Sequence, residues 1–263
     1  MSGTRVATVG VLTGWGAGTA ALPADAGAAA SGRAVIPMPR PALDGERFRR
    51  ATRECLAGIA AVETMLRDGG IGRDVLRGPG TALVYVTAAA YGASNRAFVE
   101  APGAGTLHFP YTAPSAVPAE VAIEFGLAGP YAILIGGAAA AVDALWQATL
   151  LLERGRCERA LVLAVETFAE CADLYARGRW LAGRPLVEAA ACALLTPGAL
   201  RTRYGAAASA ARLESLARRR AGETFACAPL LALALAEDDW ARGPVALTGE
   251  WRGRRAALTW AAS

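Results

Sequence analysis

The sequence predicts an α/β fold built on a mostly parallel sheet with helices on both faces. Three observations carry this. The strand-like runs at 81–87, 131–135, 160–165 and 189–195 are apolar, the first through Ala82 to Val86 and the others throughout, as strands covered on both faces are. They alternate with stretches of helical periodicity. The chain has 263 residues, 54% hydrophobic and 19% charged, which is enough apolar material for a large packed core.

Residues 5–13 read as a first strand, Val6 to Leu12 entering a turn at Gly14. Residues 19–45, rich in Ala, Gly and Pro, read as irregular. Residues 46–68 read as a helix, because Phe48, Ala51, Cys55, Ile59, Val62 and Leu66 recur three or four apart. After the strand at 81–87 come a helix at 93–100, a loop at 107–115 held by Pro110 and Pro114, and a helix at 118–125. The strand at 131–135 runs through Gly136-Gly137 into a helix at 138–153. Beyond the strands at 160–165 and 189–195 the pattern changes. Helices are expected at 206–220 and 228–240, and a hairpin at 245–251 and 256–260 turning across Arg252-Gly253-Arg254. We therefore divide the chain into an α/β domain, 1–200, and an extension, 201–263. No internal repeat is present.

All 27 basic residues are arginine, and the net charge of +4 is modest and scattered. The one dense run, Arg218-Arg219-Arg220, reads as a solvated helix end, so no nucleic-acid partner is expected. Cys55, Cys157, Cys171, Cys192 and Cys227 contain no C-x-x-C spacing, and His108 is the only histidine; no metal or cofactor is expected. Scattered thiols suit a reducing cytosol. Residues 5–12 mimic a weak signal peptide but are interrupted by Gly10 and followed by Gly14, Gly16 and Gly18. Residues 131–152 approach the length of a membrane span, but Gly136-Gly137 breaks the run and Asp143 and Gln147 sit inside it.

One stretch carries a specific resemblance. Gly126-Leu127-Ala128-Gly129-Pro130, an apolar strand, a glycine turn and an Ala-rich helix resemble the segment around the nucleophile of β-ketoacyl synthases. Gly10 to Gly16, Val84 to Gly92, Phe109 to Pro114, Arg159 to Glu166 and Ala189 to Leu195 resemble other parts of that family in the same order. The resemblance implies one half of a thiolase-like fold over residues 5–197. In the family, the eighth residue after the proline is a cysteine at a helix N-terminus, where the dipole and free N–H groups stabilise its thiolate. Here that residue is Ala138, the vacated nucleophile position. The family's second half supplies two histidines and a lysine; this sequence has one histidine and no lysine.

The resemblance therefore implies no catalytic residue and a silent subunit. It resembles the chain-length factors of type II polyketide systems, and short relatives that accompany aryl polyene ketosynthases, in fatty acid or polyketide biosynthesis. The implied partner is an active β-ketoacyl-ACP synthase, with acyl carrier protein met indirectly. Ala132, Ile133, Leu134 and Ile135 would form the dimer strand. His108, Phe109 and Tyr111, aligned without a gap before Pro130, would line the partner's acyl tunnel. A one-half chain would also lack the layer that covers its second apolar face, and so be poorly soluble alone. Other readings are an acyl-transfer or hydrolytic enzyme using Cys171 or Cys192, a dinucleotide module on Gly14-x-Gly16-x-Gly18, and an acyl-chain or carrier-protein binder acting alone.

Overall fold

Six strands form the central sheet, and three of them, Thr81–Thr87, Arg159–Glu166 and Ala189–Gly198, are apolar enough to be buried on both faces. The computed structural model describes residues 3–49, 51–89, 91–100, 110–177, 184–236 and 244–261. In chain order these give β1 (Gly3–Thr13), β2 (Gly16–Ala17), α1 (Ala26–Ala30), β3 (Val35–Ile36), α2 (Arg53–Asp68), β4 (Thr81–Thr87) and α3 (Gly92–Glu100). Next come α4 (Ala116–Phe125), β5 (Tyr131–Ile135), α5 (Ala138–Glu153), β6 (Arg159–Glu166), α6 (Phe168–Arg177), β7 (Leu186–Val187) and β8 (Ala189–Gly198). The last are β9 (Arg201–Ala206), α7 (Arg212–Ala221), α8 (Ala228–Leu235), β10 (Val245–Trp251) and β11 (Arg254–Ala261).

The sheet order is β2-β1-β8-β6-β4-β5. Strand β4 runs parallel to β5 and β6, while β8 runs antiparallel to β6 and to β1. Alternation along the central strands sorts side chains by size. Ala82, Val84 and Val86 of β4, with Ala160, Val162 and Ala164 of β6, join one core cluster with α5 and α8. Leu83, Tyr85, Leu161 and Leu163 join the other, with α2 and α4. The small face lets α5, which opens with four alanines, lie close on the sheet.

A second sheet then covers the helices. Its order is β10-β11-β9, all antiparallel. The β10–β11 turn carries Arg252 and Gly253 at φ 51° and 81°, the double left-handed geometry of a tight hairpin. Val245, Leu247, Leu258 and Trp260 point inward and share the α5–α8 cluster. This corrects one expectation. The second apolar face is not left bare, because the chain after β8 supplies its own covering layer.

Other differences are local. The helix expected at 46–68 breaks into a short turn at Glu46–Arg49 and then α2, whose N-cap Thr52 accepts from the Cys55 N–H. The segment expected as helix from 206 is strand through Ala206, and helix begins only at Arg212. The irregular stretch at 19–45 holds α1 and β3. Helix α6 and strand β9 were not anticipated.

Candidate functional site

The turn from β5 into α5 lies at the C-terminal ends of the parallel strands, where open α/β sheets place their sites. Gly136 N–H donates to the Thr87 carbonyl at 2.8 Å, which ties the turn to the end of β4. Gly137 is the N-cap and offers no side-chain acceptor. Ala138 is the first residue of α5 and is 5% exposed. The helix terminus that would favour a thiolate is present, and the side chain there is a methyl group.

Strand β10 closes directly over this terminus. A Cβ placed on Gly249 would lie 2.3 Å from the Ala138 carbonyl oxygen. One placed on Gly137 would lie 2.2 Å from Cε3 of Trp251. Both glycines therefore mark close approach rather than turn geometry. The Trp251 ring is met edge-on by Phe225, centroids 5.7 Å apart. Beyond Trp251 is a cavity of about 370 Å³ whose wall includes Ala88, Ala89, Ile135, Gly136, Glu170 and Arg252.

Buried carboxyls surround the same strand ends. Glu166, at the end of β6, accepts from the N–H groups of Ala88 at 2.6 Å and Ala226 at 3.3 Å, from the Thr87 hydroxyl at 3.2 Å and from the Cys171 thiol at 3.1 Å. Burial outweighs these bonds and pushes its pKa up to about 7. Glu170 accepts from the N–H and hydroxyl of Ser94, and burial raises it as well. Glu188 accepts from the N–H groups of Met38 at 2.7 Å and Phe168 at 2.8 Å and pairs with Arg53. Sequence reasoning missed Glu170 and Glu188 and read Glu166 only as part of a strand. The available signal was acids embedded in or flanking apolar runs, since a buried carboxyl must have partners.

The alternative nucleophiles lose support. Cys171 and Cys192 are buried, and burial raises the pKa of both thiols. Cys55 is pushed up to about 12, and burial raises Cys157 and Cys227 too. A thiol held in its protonated form is a poor nucleophile. Gly14, Gly16 and Gly18 lead into the short β1–β2 hairpin, Leu12 opposite Ala17, and no phosphate-binding helix opens there.

Strand β5 is an edge. Among the described residues it pairs with β4 alone, and its ends Tyr131 and Ile135 are 49% and 51% exposed. Ala132 and Leu134 pack toward the α5 side of the sheet and Ile133 toward the α2 side. Tyr111 packs against the α2–α4 cluster, and its hydroxyl donates to Glu120 at 3.1 Å. His108 and Phe109 lie outside the described residues. Among the described residues, no His, Cys, Asp and Glu side chains gather as a metal site would need. No described helix is long and apolar enough to cross a membrane.

A family model for the β-ketoacyl synthase N-terminal domain matches residues 9–193. No curated protein matches the chain by sequence. Among solved structures, the ishigamide ketosynthase/chain length factor superposes with a TM-score of 0.73 at 16% identity, covering 99% of each chain. A type II polyketide synthase acyl-carrier protein in complex with its ketosynthase bound to the hexaketide gives 0.76 at 14%, covering 100% of each. A β-ketoacyl synthase from Burkholderia phymatum STM815 gives 0.73 at 12%, again covering 100% of each. At these identities the likeness is one of fold, and it extends past residue 193.

Proposed function

The chain belongs to the β-ketoacyl synthase family, and from that premise we propose that it is a non-catalytic subunit that pairs with an active β-ketoacyl-ACP synthase in type II fatty acid or polyketide biosynthesis, of the aryl polyene kind. The observation that carries this is Ala138 at the N-terminus of α5, where the family places its cysteine. No general acid–base set remains for condensation, since the sequence holds one histidine and no lysine. Raised pKa values on all five cysteines support the same reading.

The subunit would bind through β5, extending its sheet into the partner's by pairing along the edge that holds Ala132 to Ile135. It would meet the carrier protein only through that partner, in the cytoplasm. His108, Phe109 and Tyr111 would line the partner's acyl tunnel, the Tyr111 hydroxyl being held by Glu120. The test is co-expression with a neighbouring ketosynthase, followed by size-exclusion chromatography and acyl-carrier-protein assays. The pair should co-elute and condense, and the isolated chain should take up no acyl group by intact mass. A stoichiometric acyl adduct on the isolated chain would overturn the reading. In the reconstituted pair, His108→Trp should shorten the products and His108→Ala lengthen them; unchanged products in both would leave stabilisation of the partner as the subunit's role.

A further inference from the structure

The family reading explains what is missing at position 138 but not what stands in front of it. A vacated active site would ordinarily remain an opening, since losing one sulfur atom empties little space. Here the end of β10 fills the approach. The Trp251 indole lies so close to Gly137 that no side chain fits between them, and Gly249 does the same at the Ala138 carbonyl. Phe225 braces the indole from the side, and the Arg252 guanidinium sits 5.6 Å from its ring centroid. Trp251 also forms part of the wall of the cavity of about 370 Å³ at the ends of β4 and β5. Trp251 and Gly136 thus share that wall, with the indole lying against Gly137 at the helix terminus.

We infer that Trp251 is a built-in plug of the vacated site, excluding acyl groups and other small molecules from the N-terminus of α5 whatever side chain stands at 138. This rests on the reading of Ala138 as the vacated nucleophile position. It goes further by making exclusion a property of a residue some 110 positions away in the covering sheet. A plug anchored in an antiparallel hairpin and packed on two core clusters is part of the fold, not a loose side chain. The Gly136-Gly137 turn then has a second reason to carry no side chain, since an alanine at 137 would collide with the ring.

The experiment introduces a reporter thiol, Ala138→Cys, in a Cys157→Ser background that removes the half-buried native thiol. Iodoacetamide is the first probe: the thiolate sulfur displaces iodide, the thiol proton passes to solvent, and peptide mapping by mass locates the adduct. With Trp251 intact, alkylation at 138 should be slower than in guanidinium-unfolded chain by roughly a hundredfold or more, as for other structurally protected thiols. Adding Trp251→Gly should speed it about tenfold or more in the folded chain, while Trp251→Phe, which keeps a ring, should leave it slow. Circular dichroism checks the fold, and Trp251→Leu replaces the glycine variant if that one unfolds. Fast alkylation of the Ala138→Cys variant with Trp251 intact overturns the plug, and so does slow alkylation in every folded Trp251 variant. The second probe, a hexanoyl thioester of N-acetylcysteamine, tests the premise separately. The thiolate would add to the thioester carbonyl and expel N-acetylcysteamine as a thiol. Acylation in the unplugged variant supports both statements. A variant that is alkylated but never acylated leaves the plug standing and overturns the reading of position 138 as an acyl-accepting site.

Discussion

The edge of β5 and the start of α5 are separated by two glycines, yet they are opposites. Along Tyr131–Ile135 the backbone faces solvent on one side, with exposed apolar residues at both ends. At Ala138 the chain passes under a second sheet, and the first five helical residues are all buried. In a condensing enzyme the helix terminus must be reachable by an acyl group. Here it is shut, and the neighbouring strand is open. If the proposed function holds, the difference separates two properties: the edge proposed for pairing is open, and the helix terminus where the family places its nucleophile is covered by β10.

The largest expected effect is on the open side. An exposed apolar edge is a liability unless a partner covers it. Tyr131→Lys puts a charge on that edge without touching the core. It should weaken the complex with the partner ketosynthase by about tenfold or more while leaving the isolated chain's melting temperature unchanged. Ile133→Pro removes a backbone donor from the strand and should abolish co-elution. If both variants pair normally, the open edge is not the interface, and the contrast drawn above loses one of its sides.

The shut side offers the next effect through Glu166. Burial raises its folded pKa to about 7 from an ordinary 4.5. Between those values the folded chain holds a proton that the unfolded chain has lost. Stability therefore falls as pH rises from about 4.5 to about 7, and is flat above, with a total change of roughly 3 kcal/mol. Glu166→Gln mimics the neutral acid and keeps an acceptor for the Ala88 and Ala226 N–H groups. It should remove this part of the slope and stabilise the chain at pH 8 but not at pH 4. Urea denaturation at both values decides it; an unchanged pH slope in the variant would mean that Glu166 is ionised in the folded state.

How much of this was legible beforehand follows from which forces are local. β4 and β5 were read at their true bounds and α5 to the residue, because continuous apolar runs and a glycine pair are local signals. The methyl group at 138 was equally plain. The seal was not. Gly249 and Trp251 look like ordinary hairpin residues, and only the packing of that hairpin on α5 gives them a role. The buried acids were hidden for the same reason, since partners such as Ala226 for Glu166 lie 60 residues away. The end of β9 was misread as the start of a helix because Ala206 and the residues after it are alanine-rich, and pairing with β11 overrides that propensity.

A smaller effect tests the closeness of the seal. Gly249→Ala would set its methyl 2.3 Å from a backbone oxygen, which cannot step aside as a side chain can. The expected loss is about 1–3 kcal/mol, as for other overpacked sites. Gly205 in β9 is the control, because a Cβ there meets nothing within 4 Å. Its alanine variant should stay within about 0.5 kcal/mol of the parent. Equal, small losses at the two positions would show that β10 can lift from α5, and the shut side would be less shut than the contacts imply.

The smallest effect concerns the latch at the rim of the covering sheet. Asp143, on α5, accepts from the Tyr204 hydroxyl at 2.6 Å and from the Arg254 guanidinium at 2.5 and 2.9 Å. Tyr204 belongs to β9 and stacks on Trp146 of α5, centroids 5.6 Å apart and planes at 9°. One carboxylate thus joins the central helix to two strands of the sheet that covers it. Its pair with Arg254 is partly exposed, so solvent screens most of the charge interaction. Asp143→Asn should cost at most about 1 kcal/mol, and less in high salt. The informative readout is local rather than global. If the rim holds the covering sheet in place, amide exchange should quicken in β9 and β11 of the variant and stay slow in β4 and β6. Uniform protection across both sheets would mean that the apolar contacts of Leu247, Leu258 and Trp260 keep the site closed without any help from the rim.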